Sequence, residues 1–143
     1  KSVLRSQKPS TDYWTNFALG RSHFTLSAQV GMRDGYIGVT FVMTGPNAKA
    51  HYHLLEQEHD IIEREIGEHL IWRELPQYKQ SDISLYQREV TPTKPELWNN
   101  YHSWLREKLE TFYNVFAHRV RTLDATKYIP THAPSSTNMD EPQ

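Results

Sequence analysis

The stretch FTLSAQVGMRDGYIGVTFVMTGP, residues 24–46, decides the fold. Phe24, Leu26, Ala28 and Val30 alternate with Thr25, Ser27 and Gln29, the period of two that marks a strand buried on one face. Asp34-Gly35 is a hairpin turn signal, because both residue types accept the left-handed backbone such a turn needs. Tyr36 to Met43 is almost wholly apolar and β-branched, the composition of a central strand. Thr44 then offers an N-cap hydroxyl, and Pro46 falls in a first helical turn, where its missing N–H costs nothing. Strand, turn, strand and helix start follow one another without a break.

The same grammar returns downstream. Behind Pro46, Ala48, Tyr52, Leu55, His59, Ile62 and Ile66 recur at three- and four-residue steps, with Leu54 and Ile61 widening the stripe, which predicts one helix ending at Gly67. Leu70 to Leu75 and Ile83 to Val90 read as two further strands, separated by Pro76 to Asp82. Thr93-Lys94-Pro95-Glu96 has the form of a capping box. After it, Leu97, Tyr101, Trp104, Leu105, Leu109, Phe112, Val115, Phe116, Val120 and Leu123 form one broad apolar face that should dominate the core. Thr44/Thr93, Pro46/Pro95, Tyr52/Tyr101 and His53/His102 match at one constant offset, which suggests a partial internal hairpin-helix repeat. Ahead of all this, Tyr13 to Leu19 is aromatic-rich and ends in a tight turn at Leu19-Gly20-Arg21-Ser22. The order β-β-β-α-β-β-α predicts an α+β fold: an antiparallel sheet of about five strands with two long helices on one face.

The chain has 143 residues, 37% hydrophobic and 23% charged, which suits one globular domain. A flexible lead-in is expected over 1–11, the single α+β domain over 12–127 and a disordered tail over 128–143. The chain starts at Lys1 rather than methionine, so a fragment of a longer protein is expected. The formal net charge is −1, which gives no global field toward nucleic acid or membrane. Without cysteine, disulfides, thiolate zinc sites and cysteine nucleophiles are excluded. No apolar run approaches the roughly 20 residues of a membrane span, and no signal peptide is visible. A cytoplasmic location without membrane contact is the expectation.

Three stretches together resemble a known family. They are Trp14-Thr15-Asn16-Phe17 with Gly20-Arg21-Ser22 and the Phe24 strand; Ile37-Gly38-Val39 leading to Gly45-Pro46-Asn47-Ala48-Lys49-Ala50; and Trp104-Leu105 with Lys108-Leu109-Glu110. They resemble the bacterial and archaeal family of the domain of unknown function 4268 over roughly Ser10 to Asp124. In that family the domain often lies C-terminal to a nuclease-like domain of the restriction-endonuclease type. The resemblance therefore implies an accessory or interaction domain in a bacterial DNA-processing or defence protein. A nucleic-acid-binding module is the alternative, and an unrecognised enzyme the second alternative. The expected partners are nucleic acid, a nuclease-like domain outside this chain, or a second copy in a homodimer.

Catalytic residues, metal ligands and cofactors are not expected. His51 and His53, two apart on a helix, project about 200° from each other and do not chelate one ion; His59 reads as a core or rim residue of the apolar stripe. No phosphate loop, nucleotide fingerprint or metal-binding helix motif is present. Ser22-His23 is no nucleophile–base pair by adjacency alone. The turn Gly20-Arg21-Ser22-His23 is the best surface candidate. Its arginine, hydroxyl, imidazole and free backbone N–H groups suit a phosphate or carboxylate. Arg21, Ser22 and His23, with Arg33 in the next turn, are thus the candidate anion- or nucleic-acid-binding residues. The bland alternative makes Arg21 solvated or a carbonyl cap. Lys1, Arg5, Lys8, Arg21 and Arg33 suggest one basic edge, and Arg106, Lys108, Arg119, Arg121 and Lys127 a second, with the Arg119 stem packed and its head on a carboxylate. Glu56, Glu58, Asp60, Glu63, Glu65 and Glu68 make the first helix acidic, a face that repels DNA.

Overall fold

The computed structural model describes residues 12–129; the expected lead-in and most of the expected tail lie outside them. Five strands form one antiparallel sheet in the order β1-β2-β3-β5-β4. They are β1 (Asp12–Ala18), β2 (Phe24–Gly31), β3 (Tyr36–Thr44), β4 (Ile71–Arg73) and β5 (Gln80–Arg88). Between β3 and β4 lie α1 (Ala48–Glu56) and α2 (His59–Ile66); after β5 comes α3 (Trp98–Thr122), introduced and followed by short 3-10 turns. The architecture is the expected α+β one, with every helix on one face.

The strand period decides which side chains meet the helices. Ile37, Val39, Phe41 and Met43 of β3 are wholly buried, beside Phe24, Leu26, Ala28 and Val30 of β2 and Ile83 and Leu85 of β5. Helix α3 lays Leu105, Leu109, Phe112, Val115, Phe116 and Val120 on them, as its stripe predicts. Phe41 stacks on Phe116 with ring centroids 4.3 Å apart and planes 6° off parallel, at the centre of this layer. Tyr52 enters from α1; burial, then the Glu56 and Glu74 carboxylates, pushes its hydroxyl up to about 12.

Several local expectations are corrected. The first helix is not continuous. At Glu58 the backbone leaves the helical region (φ −108°, ψ 21°), and α2 starts afresh at His59. The apolar stripe spans the break, so periodicity alone hides it. His59 is accordingly an exposed residue whose Nδ1 lies 3.2 Å from the freed carbonyl of Glu56, not part of a buried stripe. Ile61 is 47% exposed. Neither expected cap forms: Thr44 belongs to β3, and Asn47 and Leu97 precede α1 and α3 without side-chain cap bonds. The fourth strand is only three residues long, while the fifth begins at Gln80 inside the expected connection. Both halves do run hairpin then helix, and they join through the β3–β5 pair. They differ in having a broken helix after one hairpin and a 25-residue helix after the other.

Lys49 holds the β4–β5 connection. Its ammonium donates to the carbonyls of Glu74, Leu75 (2.6 Å) and Gln80 (2.7 Å), with Ser81 Oγ at 3.1 Å. Leu75 there takes a left-handed φ of 55°, a conformation that costs a branched residue free energy and needs such fastening.

Candidate nucleic-acid interface

None of the described helices packs on the other sheet face, and its chemistry differs throughout. In register, Ser27 lies two strands from Ser84 with Thr40 between them, and Asp82 pairs with Arg73 on the edge strand. Gln29 Nε2 donates to Thr40 Oγ1 at 3.0 Å, and Thr40 Oγ1 shares a hydrogen bond of 2.9 Å with Ser84 Oγ. Thr40 and Ser84 are buried, and each hydroxyl satisfies the other. Arg73 grips Asp82 through Nε and Nη2, both at 2.8 Å, while Gln80 Nε2 reaches Asp82 Oδ2 at 3.4 Å. Asp82 is 2% exposed and Arg73 49%, so the pair closes one wall and shows its cationic side outward. These hydrogen bonds raise the Arg73 guanidinium above its ordinary value. All of these but Ser84 line a recess of about 520 Å³, with Asn16 and Thr25 at one end and Tyr36 and Tyr86 at the other.

Two glycines shape that second end. The Tyr36 ring occupies the space of a side chain at Gly31, where an added Cβ would lie 2.1 Å from Cε2. The Tyr86 ring does the same at Gly38, 2.3 Å from Cδ1. Both rings thus lie down against the sheet rather than standing off it. Their centroids are 5.6 Å apart in an edge-to-face pair. The Arg88 guanidinium sits over both, 5.7 Å from the Tyr36 ring and 5.3 Å from the Tyr86 ring. Ile71, 45% exposed, borders the same group. The result is an aromatic–guanidinium platform beside a polar recess.

The sequence candidates fall on two ends of β2. Arg21 Nη1 donates to the carbonyls of Val120 and Leu123, each at 2.7 Å, and its guanidinium lies over the Phe24 ring. It caps the C-terminus of α3, the carbonyl-capping alternative read from the sequence. Ser22 is exposed. His23 takes a left-handed φ of 76°; its carbonyl accepts the Thr44 N–H at 2.9 Å, and its ring fills the space beside Gly45. Arg33 is exposed in the turn between β2 and β3, at the far end of β2. That turn is tied to the end of β5 by Val90 N–H donating to Gly35 O. Arg33 therefore joins Tyr36 and Arg88, which pair across β3 and β5, and not Arg21, Ser22 and His23. Asp34 and Glu89 stand at this end too.

Two residues of the second basic edge are committed, while Arg121 and Lys127 are exposed. Arg119, with its side chain 11% exposed, bonds Glu58 (3.3 Å), Glu65 (2.9 Å) and the Val115 carbonyl. Lys108 pairs with Glu68 at 3.1 Å. Glu63 accepts from Leu70 N–H and Trp72 Nε1, with His69 Nδ1 3.3 Å away; burial opposes its charge, but these bonds outweigh burial and hold its carboxyl below the ordinary value. The acidic residues of α1 and α2 thus serve the helical layer, on the side of the sheet away from the recess.

The histidines do not converge. His51 is buried against Phe24, centroids 5.1 Å apart, and neither ring nitrogen has a partner among the described residues. Burial first, then the charges of Arg21 and His23, hold its pKa below the ordinary 6.5, against a smaller pull from Asp124. His53 lies between Glu56 (3.2 Å) and Glu74 (3.0 Å) and stacks on Tyr128, which is therefore packed although the expected tail includes it. Among the described residues no group of three His, Asp or Glu side chains is placed to hold a metal ion. No described helix is long and apolar enough to cross a membrane.

Sequence reasoning missed Gln29, Thr40, Arg73, Asp82, Ser84, Tyr86 and Arg88. The signal was present in part, since polar residues alternate through both β2 and the segment 80–88, but only cross-strand register unites them. No curated protein and no solved structure matches the chain. Residues 1–120 match the family described as Domain of unknown function (DUF4268), and the chain belongs to that family.

Proposed function

We propose that this domain is a binding module that takes single-stranded nucleic acid on the helix-free face of its sheet. The observation that carries the reading is the Tyr36–Tyr86–Arg88 platform beside the polar recess. Bases of an unpaired strand stack on aromatic rings and guanidinium planes. Arg33 and Arg88 supply cationic groups for the backbone, while the acidic helices lie behind the sheet. The setting implied by the family resemblance is an accessory domain beside a nuclease-like domain in a bacterial, cytoplasmic DNA-processing or defence protein. A strand-holding face without chemistry of its own fits that setting.

Anisotropy of labelled single strands, against duplex of the same sequence, tests the reading. Single strands should bind more tightly, with affinity falling steeply as salt rises. Tyr86→Ala should weaken binding by about 1–3 kcal/mol, the range for losing one stacked base. Absence of binding at low salt, or equal binding by wild type, Tyr86→Ala and Arg88→Ala, would overturn it.

One observation favours a second reading, a protein-interaction domain. A recess of about 540 Å³ between β1 and α3 is lined by Phe17, Leu26, Leu109 and Tyr113, and Tyr113 is 48% exposed. Self-association that Tyr113→Glu abolishes, together with no strand binding, would favour it over the first.

A further inference from the structure

The two edges of the sheet are finished differently. At one edge β4 is three residues long and ends in Arg73, whose guanidinium is turned onto Asp82. A short, charged edge of that kind offers little to a further strand. At the other edge β1 runs for seven residues, and from Tyr13 to Ala18 its sequence holds no charge and no proline. Among the described residues β1 pairs with β2 alone, so its outer side carries a row of backbone donors and acceptors. Beside it lies the recess of about 540 Å³ against α3. Phe17, Leu26 and Leu109 give that recess an apolar lining, and Tyr113 stands 48% exposed within it. Arg106 and Glu110, about one helical turn apart, line it as well. Neither has an ion pair or side-chain hydrogen bond among the described residues.

We infer that this edge and its groove receive a second copy of the chain, with β1 antiparallel to β1 of the partner subunit about a two-fold axis. This deepens the second reading above and needs nothing from the strand-binding one. A two-fold interface must be complementary to itself. An antiparallel strand edge meets that condition, because its donors and acceptors repeat when the direction is reversed. The charges meet it too. Helix α3 follows the line of β1, since the turn after β1 brings Arg21 to the Val120 and Leu123 carbonyls. The axis that reverses β1 therefore reverses α3, and Arg106 of each copy faces Glu110 of the partner subunit across the seam. The groove thus already holds both members of the ion pair that it asks of its partner. Phe17 and Tyr113 of both copies close the apolar part of the seam. The two helix-free faces then lie side by side as one surface.

Sedimentation equilibrium of the wild-type chain, with hydrogen exchange read at a low and a high concentration, tests this. A dimer is expected, with exchange at the β1 amides slowing as concentration rises. Arg106→Glu and Glu110→Arg should each weaken dimerisation by at least about fivefold, because symmetry counts each rim pair twice. The double variant, Arg106→Glu with Glu110→Arg, should recover most of that loss, which misfolding cannot imitate. A dimer whose β1 amides exchange alike at both concentrations would overturn this placement and leave the interaction reading standing. So would a dimer indifferent to the single swaps, or one that the double swap leaves as weak as they do. A chain that stays monomeric at millimolar concentration would overturn both.

Discussion

Along β3, successive residues face two chemically opposite environments. Ile37, Val39, Phe41 and Met43 point into the helical layer and are fully buried. Tyr36, Thr40 and Val42 border the recess, and Gly38 lies under a tyrosine ring. The first set is interchangeable in chemistry and strict in volume. The second carries polar chemistry that is met across the sheet, as Thr40 is by Gln29 and Ser84. The difference teaches that stability and recognition are separated by the pleat itself, so a substitution one residue along should move one and spare the other.

The largest effect expected is on the buried side. Phe116→Ala removes the ring stacked on Phe41 and leaves a cavity, which should cost about 3–5 kcal/mol of unfolding free energy in a urea titration. A cost below about 1 kcal/mol would mean that the two layers are not packed as described. Next comes Lys49→Met, which removes the ammonium from three carbonyls and should cost on the order of 3 kcal/mol. It should also speed hydrogen exchange at residues 74–80 before the rest of the sheet.

A smaller, pH-dependent effect sharpens the contrast from inside the core. His51 resists a proton in the folded protein, so between pH 6.5 and its lowered folded value the unfolded chain binds more protons. Stability is therefore fully present above pH 6.5 and declines below it, by at most about 1.4 kcal/mol per unit. Thermal melts of His51→Leu should lose this contribution; an unchanged pH profile would show that His51 does not carry it. The smallest stability effect belongs to the helix-free face. Tyr86→Leu should change unfolding free energy by less than about 1 kcal/mol, because its ring is partly exposed, while weakening strand binding. A loss as large as that of Phe116→Ala would erase the division between the faces.

The buried side was legible in the sequence. Alternation in 24–30 named Phe24, Leu26, Ala28 and Val30, and the stripe from Leu97 to Leu123 named six of the seven buried residues of α3, because periodicity is a local property of a strand or helix. The break at Glu58 was hidden, since the stripe resumes in phase beyond it. The first cap failed because Thr44 was drawn into β3, where its backbone N–H bonds His23, and the second because a 3-10 turn at Pro95–Leu97 precedes α3. The recess was not legible. Thr40 and Ser84 are 44 residues apart, and only the β3–β5 register makes them neighbours. Arg21 was singled out for its charge, yet the C-terminal carbonyls of α3 claim that charge, and they lie about a hundred residues away in the chain.

The ring of carbonyls around Lys49 has one more consequence. Three backbone oxygens converging on a monovalent charge are what a potassium or ammonium ion seeks in a small host molecule. The lysine side chain is in effect a guest ion on a leash, and tethering makes its return to the host an intramolecular event. Cutting the leash with Lys49→Gly would leave the host behind. A small alkylammonium added in solution should then re-enter it and restore part of the lost melting temperature, which would turn the β4–β5 connection into a ligand-gated element of the fold.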